Sequence, residues 1–113
     1  MNFYDKLNEL AECLKETREY KEYIVLKEQV KNDEKIYQML KMFKAKQKEH
    51  QLKYLNGKEV EKKEQDDMQN MYSILIQNEK VKRMLECEME INVFLADIQH
   101  VMGEAIKEIV DFE

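Results

Sequence analysis

This chain contains no proline or tryptophan, and only one serine and two glycines among its 113 residues. With Gly57 and Gly103 as its only glycines, it lacks the turn residues that strand-and-turn architectures need. Two isolated glycines cannot form a phosphate-binding loop, and Ser73, on an apolar helical segment, has no triad around it. The composition therefore predicts an all-α protein that is not an enzyme.

Cysteine and histidine, which bind zinc and iron–sulfur clusters, are equally scarce, with two of each. Cys13 and Cys87 are far apart and have no second ligand nearby, so they are predicted to be reduced, buried thiols. Asp97 lies three residues before His100, and Glu104 continues the same helical face, which leaves a metal-binding helical bundle as an alternative. A di-iron bundle needs two such motifs, and no second one is present. We therefore predict no metal and no cofactor.

Long apolar runs and a targeting leader are also missing. The chain opens on an amphipathic helical pattern and has no run near the ~20 apolar residues of a membrane span. Its net charge of −5 argues against bulk affinity for nucleic acid or anionic membranes. We expect a cytoplasmic protein with a single helical domain over residues 1–113, large enough to bury roughly two thirds of its unfolded surface.

Helix-capping residues divide the chain into about five helices, in an antiparallel bundle with a long C-terminal helix. Asn2, Thr17, Asp33 and Asn78 are predicted caps, and Asn56-Gly57 is a predicted stop. The predicted order is a helix to about Glu16, a second to Asn32-Asp33, a third to about Asn56, a charged stretch over 58–67, a helix pattern from Met68 and a last helix over 78–110. The charged stretch is predicted to be either a connecting loop or an exposed helix start.

The last helix carries the longest apolar stripe. Over about 32 residues it would be about 48 Å long, whereas a compact chain of this size is about 34 Å across. The overhanging part needs cover, which predicts a two-fold homodimer. The predicted dimer interface consists of Ile91, Leu95, Ile98 and Met102.

The third helix carries an excess of lysines between Lys41 and Lys58. Lys41, Lys44 and Lys48 are the predicted contacts for an acidic protein partner or for RNA, although a solvated lysine face is the more common role of such a pattern. The eight methionines fit either an adaptable groove for a partner or an ordinary core, and the core is favoured.

Short motifs across nearly the whole chain resemble the YheA/YmcA/YlbF family of small helical bacterial proteins, and the YheA-like branch most closely. The motifs that carry the resemblance are Asn2-Phe3-Tyr4-Asp5, Glu19-Tyr20 with Tyr23, Asn32-Asp33, Phe43 in its helix, Gly57-Lys58-Glu59-Val60, and Asn78-Glu79-Lys80-Val81 with Glu88.

The resemblance implies a helical, dimeric, cytosolic bacterial protein. YlbF and YmcA members are regulatory partners of ribonuclease Y in mRNA maturation, influence competence, sporulation and biofilm formation, and form a complex associated with iron–sulfur clusters. This chain ends Asp111-Phe112-Glu113 without the cysteine-rich tail of YlbF. The predicted function is therefore that of an interaction or regulatory protein in RNA processing or development, without a cluster. Direct RNA binding by the Lys41–Lys58 face is the alternative.

Overall fold

A computed structural model describes residues 2–112 of this chain, and its regular elements there are all helices. The helices are α1 (Phe3–Lys15), α2 (Arg18–Val30), α3 (Glu34–Leu55), α4 (Lys62–Leu75), α5 (Glu79–Ala105) and α6 (Lys107–Val110). This arrangement confirms the all-α class and the long C-terminal helix. In the described residues, none of these helices has the length and apolar character to cross a membrane.

The helix starts follow local side-chain chemistry. Asn2 accepts a hydrogen bond from the Tyr4 backbone N–H at 2.8 Å, and Asp33 accepts one from the Ile36 N–H at 3.2 Å. The Thr17 hydroxyl accepts from the Tyr20 N–H, and Asn78 accepts from the Val81 N–H. Each bond satisfies a backbone donor that the first helical turn leaves unpaired. All four predicted caps are confirmed.

The structure decides one open boundary and corrects another. Helix α4 begins at Lys62, so the charged stretch over 58–67 includes an exposed helix start, and interactions with neighbouring residues hold its first turns, including Lys53 Nζ donating to Glu64 at 3.2 Å. Helix α5 passes through Gly103 but ends at Ala105 rather than Val110, and Ile106 leaves the helical conformation. The last turns of α5 bury none of their described side chains, so no packing extends the helix.

The chain forms two compact units, one comprising Ile24–Met84 and the other comprising residues up to Tyr23 with those from Leu85 onward. In the Ile24–Met84 unit, α3 packs against α4. Phe43 lies 6.0 Å from Tyr72 between ring centroids, whereas Lys53 contacts Glu64, so the two helices run antiparallel. The buried apolar side chains of this unit are Val30, Leu40, Phe43, Leu75, Val81 and Met84.

The other unit is less well packed. Its buried apolar side chains are Leu85 and Cys87, and none of the thirteen residues of α1, all of them described, is buried. The prediction of two buried thiols is therefore half wrong, because Cys13 on α1 is exposed whereas Cys87 is buried. The prediction of one domain over residues 1–113 stays a prediction.

Replacing each glycine by alanine should change stability in opposite directions. Gly57 has φ +71°, a left-handed conformation that ends α3, so Gly57→Ala should lower the free energy of unfolding by about 1 kcal/mol. Gly103 lies inside α5 with open space around its Cα, so Gly103→Ala should raise helix stability by about 0.5–1 kcal/mol. Urea unfolding followed by circular dichroism measures both; effects of the same sign would contradict the assignment.

Candidate interaction surfaces

The predicted dimer interface is an uncovered stripe on α5. Ile91 and Ile98 are half-buried, and Leu95 and Met102 are 43% and 51% exposed. We call these four residues the α5 seam. Because each is at least partly accessible, the seam remains available to another molecule. Further exposed apolar side chains follow or flank it, namely Val93, Val101, Ile106, Ile109, Val110 and Phe112.

Helix α1 presents a second uncovered apolar face in the same unit. Phe3, Leu7 and Leu10 follow each other at helical spacing and are all exposed, with Tyr4 packed edge-on against Phe3 at 5.2 Å between centroids. A helix whose apolar side chains stay in water gains little of the burial energy that normally stabilises helices in proteins. This face, like the α5 seam, has the character of a surface that another molecule covers.

The structure contains the predicted lysine face on α3, and two of its lysines already interact with other groups of the chain. Lys41, Lys44 and Lys48 are spaced by three and four residues and lie on one side of the helix. Lys41 Nζ lies 5.1 Å from the centre of the Tyr37 ring, a cation–π contact, and Lys44 is half-buried and has interactions of its own. The face therefore offers two well-exposed ammonium groups, Lys41 and Lys48, to a partner.

The remaining lysine of interest, Lys53, belongs to the α3–α4 contact. Glu64 accepts from Lys53 Nζ at 3.2 Å and lies 3.7 Å from His50 Nε2. All three side chains are partly shielded from solvent. This cluster fixes the end of the helix pair and leaves Lys53 unsuited to RNA contact.

A groove opens between α3 and α4. It has a volume of about 770 Å³ and is lined by Glu34, Lys35, Gln38, Met39 and Met42 of α3 and by Met71 and Ile74 of α4.

The groove departs from the expectation that methionines belong to the core. That prediction is wrong for Met42, Met89 and Met102, which are exposed, whereas Met84 is fully buried. One signal in the sequence distinguishes Met42. It precedes the buried Phe43 by one residue and so lies about 100° around the helix from it.

The candidate metal ligands do not form a site. Asp97, His100 and Glu104 are exposed on α5, and within residues 2–112 no group of three or more His, Cys, Asp or Glu side chains could hold a metal ion. The helical spacing that brings these three residues to one face brings no further ligand to them. The metal-binding alternative therefore gains no support.

The phenol of Tyr23 is half-buried and interacts with the carboxylate of Glu88. Burial of its half-covered ring, and then the negative charge of Glu88, raise the pKa of the Tyr23 phenol. Both causes disfavour the phenolate. The Tyr23 phenol therefore stays neutral at neutral pH in the folded protein.

Comparison with known proteins identifies the family. Residues 3–107 match the family described as control of competence regulator ComK, YlbF/YmcA. This chain belongs to the YlbF/YmcA family. A UPF0342 protein of Caldicellulosiruptor saccharolyticus is 39% identical over 105 residues, which cover 93% of this chain and 88% of the relative. A UPF0342 protein of Clostridium tetani is 31% identical over 113 residues, 100% of this chain and 97% of the relative.

A solved structure has a similar fold. A Bacillus stearothermophilus protein of unknown function (DUF964) superposes with a TM-score of 0.77 at 20% sequence identity, covering 93% of this chain and 92% of the other. The family match and the UPF0342 relatives confirm the recognised family, whose description names a regulatory role. Membership of the YheA-like branch stays a prediction.

The Tyr23 shift predicts a pH dependence of stability. A phenol with a raised pKa in the folded state stabilises the fold below the ordinary value of about 10, and this contribution is lost as pH rises from there through the raised pKa. Tyr23→Phe should therefore lose less stability than wild type above about pH 10 in urea unfolding. Tyr4→Phe, which alters a 67% exposed ring, is the control; an equal alkaline loss in Tyr23→Phe and wild type would contradict the shift.

Proposed function

We propose that this chain is a non-enzymatic regulator that works as a homodimer by docking onto other proteins in RNA processing or developmental control. The observation that carries the proposal is its match, over residues 3–107, to a family described by control of a competence regulator. A protein that regulates without a reaction has to act through contacts. Uncovered apolar faces on α1 and α5 supply surfaces suited to such contacts.

A partly exposed apolar stripe on α5 supports the homodimer, because apolar side chains in such a stripe are stabilised when a second copy covers them. The α5 seam suits a two-fold contact, because its apolar residues repeat every three or four positions along a helix of 27 residues.

Direct RNA binding is the weaker candidate. Lys41 and Lys48 are two exposed ammonium groups, on a chain whose net charge is −5. Proteins that hold RNA without sequence preference usually combine a continuous basic groove with stacking aromatic rings. The Tyr37 ring lies beneath Lys41, so it is not free to stack on a base. We therefore propose protein partners rather than RNA as the primary contacts.

Dimerisation through the α5 seam is tested by Ile98→Asp. An aspartate in the seam would be buried without a partner, so the dimer dissociation constant should rise on the order of a hundredfold or more. Gln99→Asp adds the same charge at an exposed position one residue along and about 100° around the helix, and should leave assembly unchanged. Sedimentation equilibrium measures both variants. A wild-type chain that remains monomeric at micromolar concentration would refute the dimer.

The regulatory role is tested by affinity capture of the full chain from its native cell, with and without ribonuclease, over a range of salt concentrations. Regulatory or RNA-processing proteins should be retained after ribonuclease treatment and at elevated salt, because apolar contacts are not screened by salt. Capture that needs intact RNA and falls steeply with salt would instead support the lysine face. Recovery of neither class across these conditions would contradict the proposal.

A further inference from the structure

The groove between α3 and α4 is lined mainly by apolar side chains. Met39, Met42, Met71 and Ile74 form its walls, and Met42 and Ile74 are 55% and 48% exposed. Its polar residues, Glu34, Lys35 and Gln38, come from the first turns of α3 and so lie toward one end. A groove with apolar walls and charged residues at one end suits an amphipathic ligand that binds in a single orientation.

The size of the groove indicates that its occupant is a short segment rather than a whole protein. Its α3 wall runs from Glu34 to Met42, about 12 Å or two helical turns. Seven residues line it, whereas each side of a stable dimer interface contributes about 20–30 residues. A second copy of this chain seated only here would bury too little area, so the occupant is a short segment.

The two walls also determine which conformation the segment takes. In the described residues all regular structure is helical, so an extended peptide would find no strand edge to pair with. Two antiparallel helices side by side instead present rows of side chains into which a third helix packs at about 8–10 Å. Methionine walls favour this occupant, because their flexible thioether chains adapt to apolar side chains of different shapes.

We propose that this groove binds a short amphipathic helix of another protein, two to three turns long, through apolar side chains spaced at i, i+3 or i+4, and i+7. This deepens the regulatory role and rests on it, because it names the kind of partner segment that docks. Charges on the helix opposite to Glu34 or Lys35 fix its direction.

The test selects a ligand from random sequences, so the partner need not be identified first. A displayed library of random 14-residue peptides is panned against the full chain, and the selected peptide is titrated into protein with ¹³C-labelled methionine methyl groups. We expect the selected sequences to share the i, i+3 or i+4, i+7 apolar spacing and to become helical when bound. Signals of Met39, Met42 and Met71 should shift, whereas the signal of Met89 should not.

Three variants test whether the selected peptide binds in the groove. Met42→Glu and Ile74→Glu put a charge on an exposed groove wall and should weaken the peptide on the order of tenfold or more. Met89→Glu makes the same change at a 65% exposed methionine of α5 and should leave binding within about twofold. Circular dichroism confirms that all three variants keep the helical content of wild type.

Several results would overturn the groove proposal. These are peptides without the apolar spacing, equal binding to Met42→Glu, and shifts of the groove methionines Met39, Met42 and Met71 that follow protein concentration without peptide, which would make the occupant a second copy. Cell capture separates this proposal from the regulatory role. If Met42→Glu and Ile74→Glu retain every partner of wild type, the groove proposal fails while docking regulation stands; if wild type captures no partner, the regulatory role fails whatever the panning shows.

Discussion

Burial of the apolar faces of α3, α4 and the first turns of α5 is the constraint on which the rest of this structure depends. Leu75 and Val81 are fully shielded, and Met84 is nearly so. Each such side chain contributes about 1.5–3 kcal/mol relative to exposure. The Lys53–Glu64 ion pair helps to orient α3 against α4. It contributes little to the free energy of unfolding, because both groups remain partly solvated. With this packing in place, the outer faces of the same helices are free to carry the groove and the lysine face.

Local chemistry in the sequence is enough to locate most helix boundaries. Asn2, Thr17, Asp33 and Asn78 cap helices through hydrogen bonds to residues two or three positions away, so distant contacts play no part in these starts. The start of α4 is harder to predict, because charged residues serve equally in a connector and in an exposed helical turn. The contact of Glu64 with Lys53, eleven residues earlier, is among the interactions that favour the helical turn.

The surfaces are harder to predict than the helices. Helical periodicity identifies which residues share a face, but it does not say whether anything in the same chain covers that face. The stripe through Val81, Met84 and Leu95 is continuous in sequence, yet its first two members are buried and the third is exposed. Residue type has the same weakness, because it wrongly places Met42 and Cys13 in the interior. A second, narrower apolar stripe beside the main one, as at Met39 and Met42, is the sequence feature that marks a surface groove.

The division of the chain into two units has a consequence for the order of folding. Ile24–Met84 is continuous in sequence, and its antiparallel helix pair is joined by a short connection, so its contacts close small loops and form quickly. The other unit combines two segments that the whole of Ile24–Met84 separates in sequence. During synthesis, α1 leaves the ribosome long before the second half of α5 is available. Its phenylalanine and leucine side chains therefore meet water, chaperones or another chain before their own unit is complete.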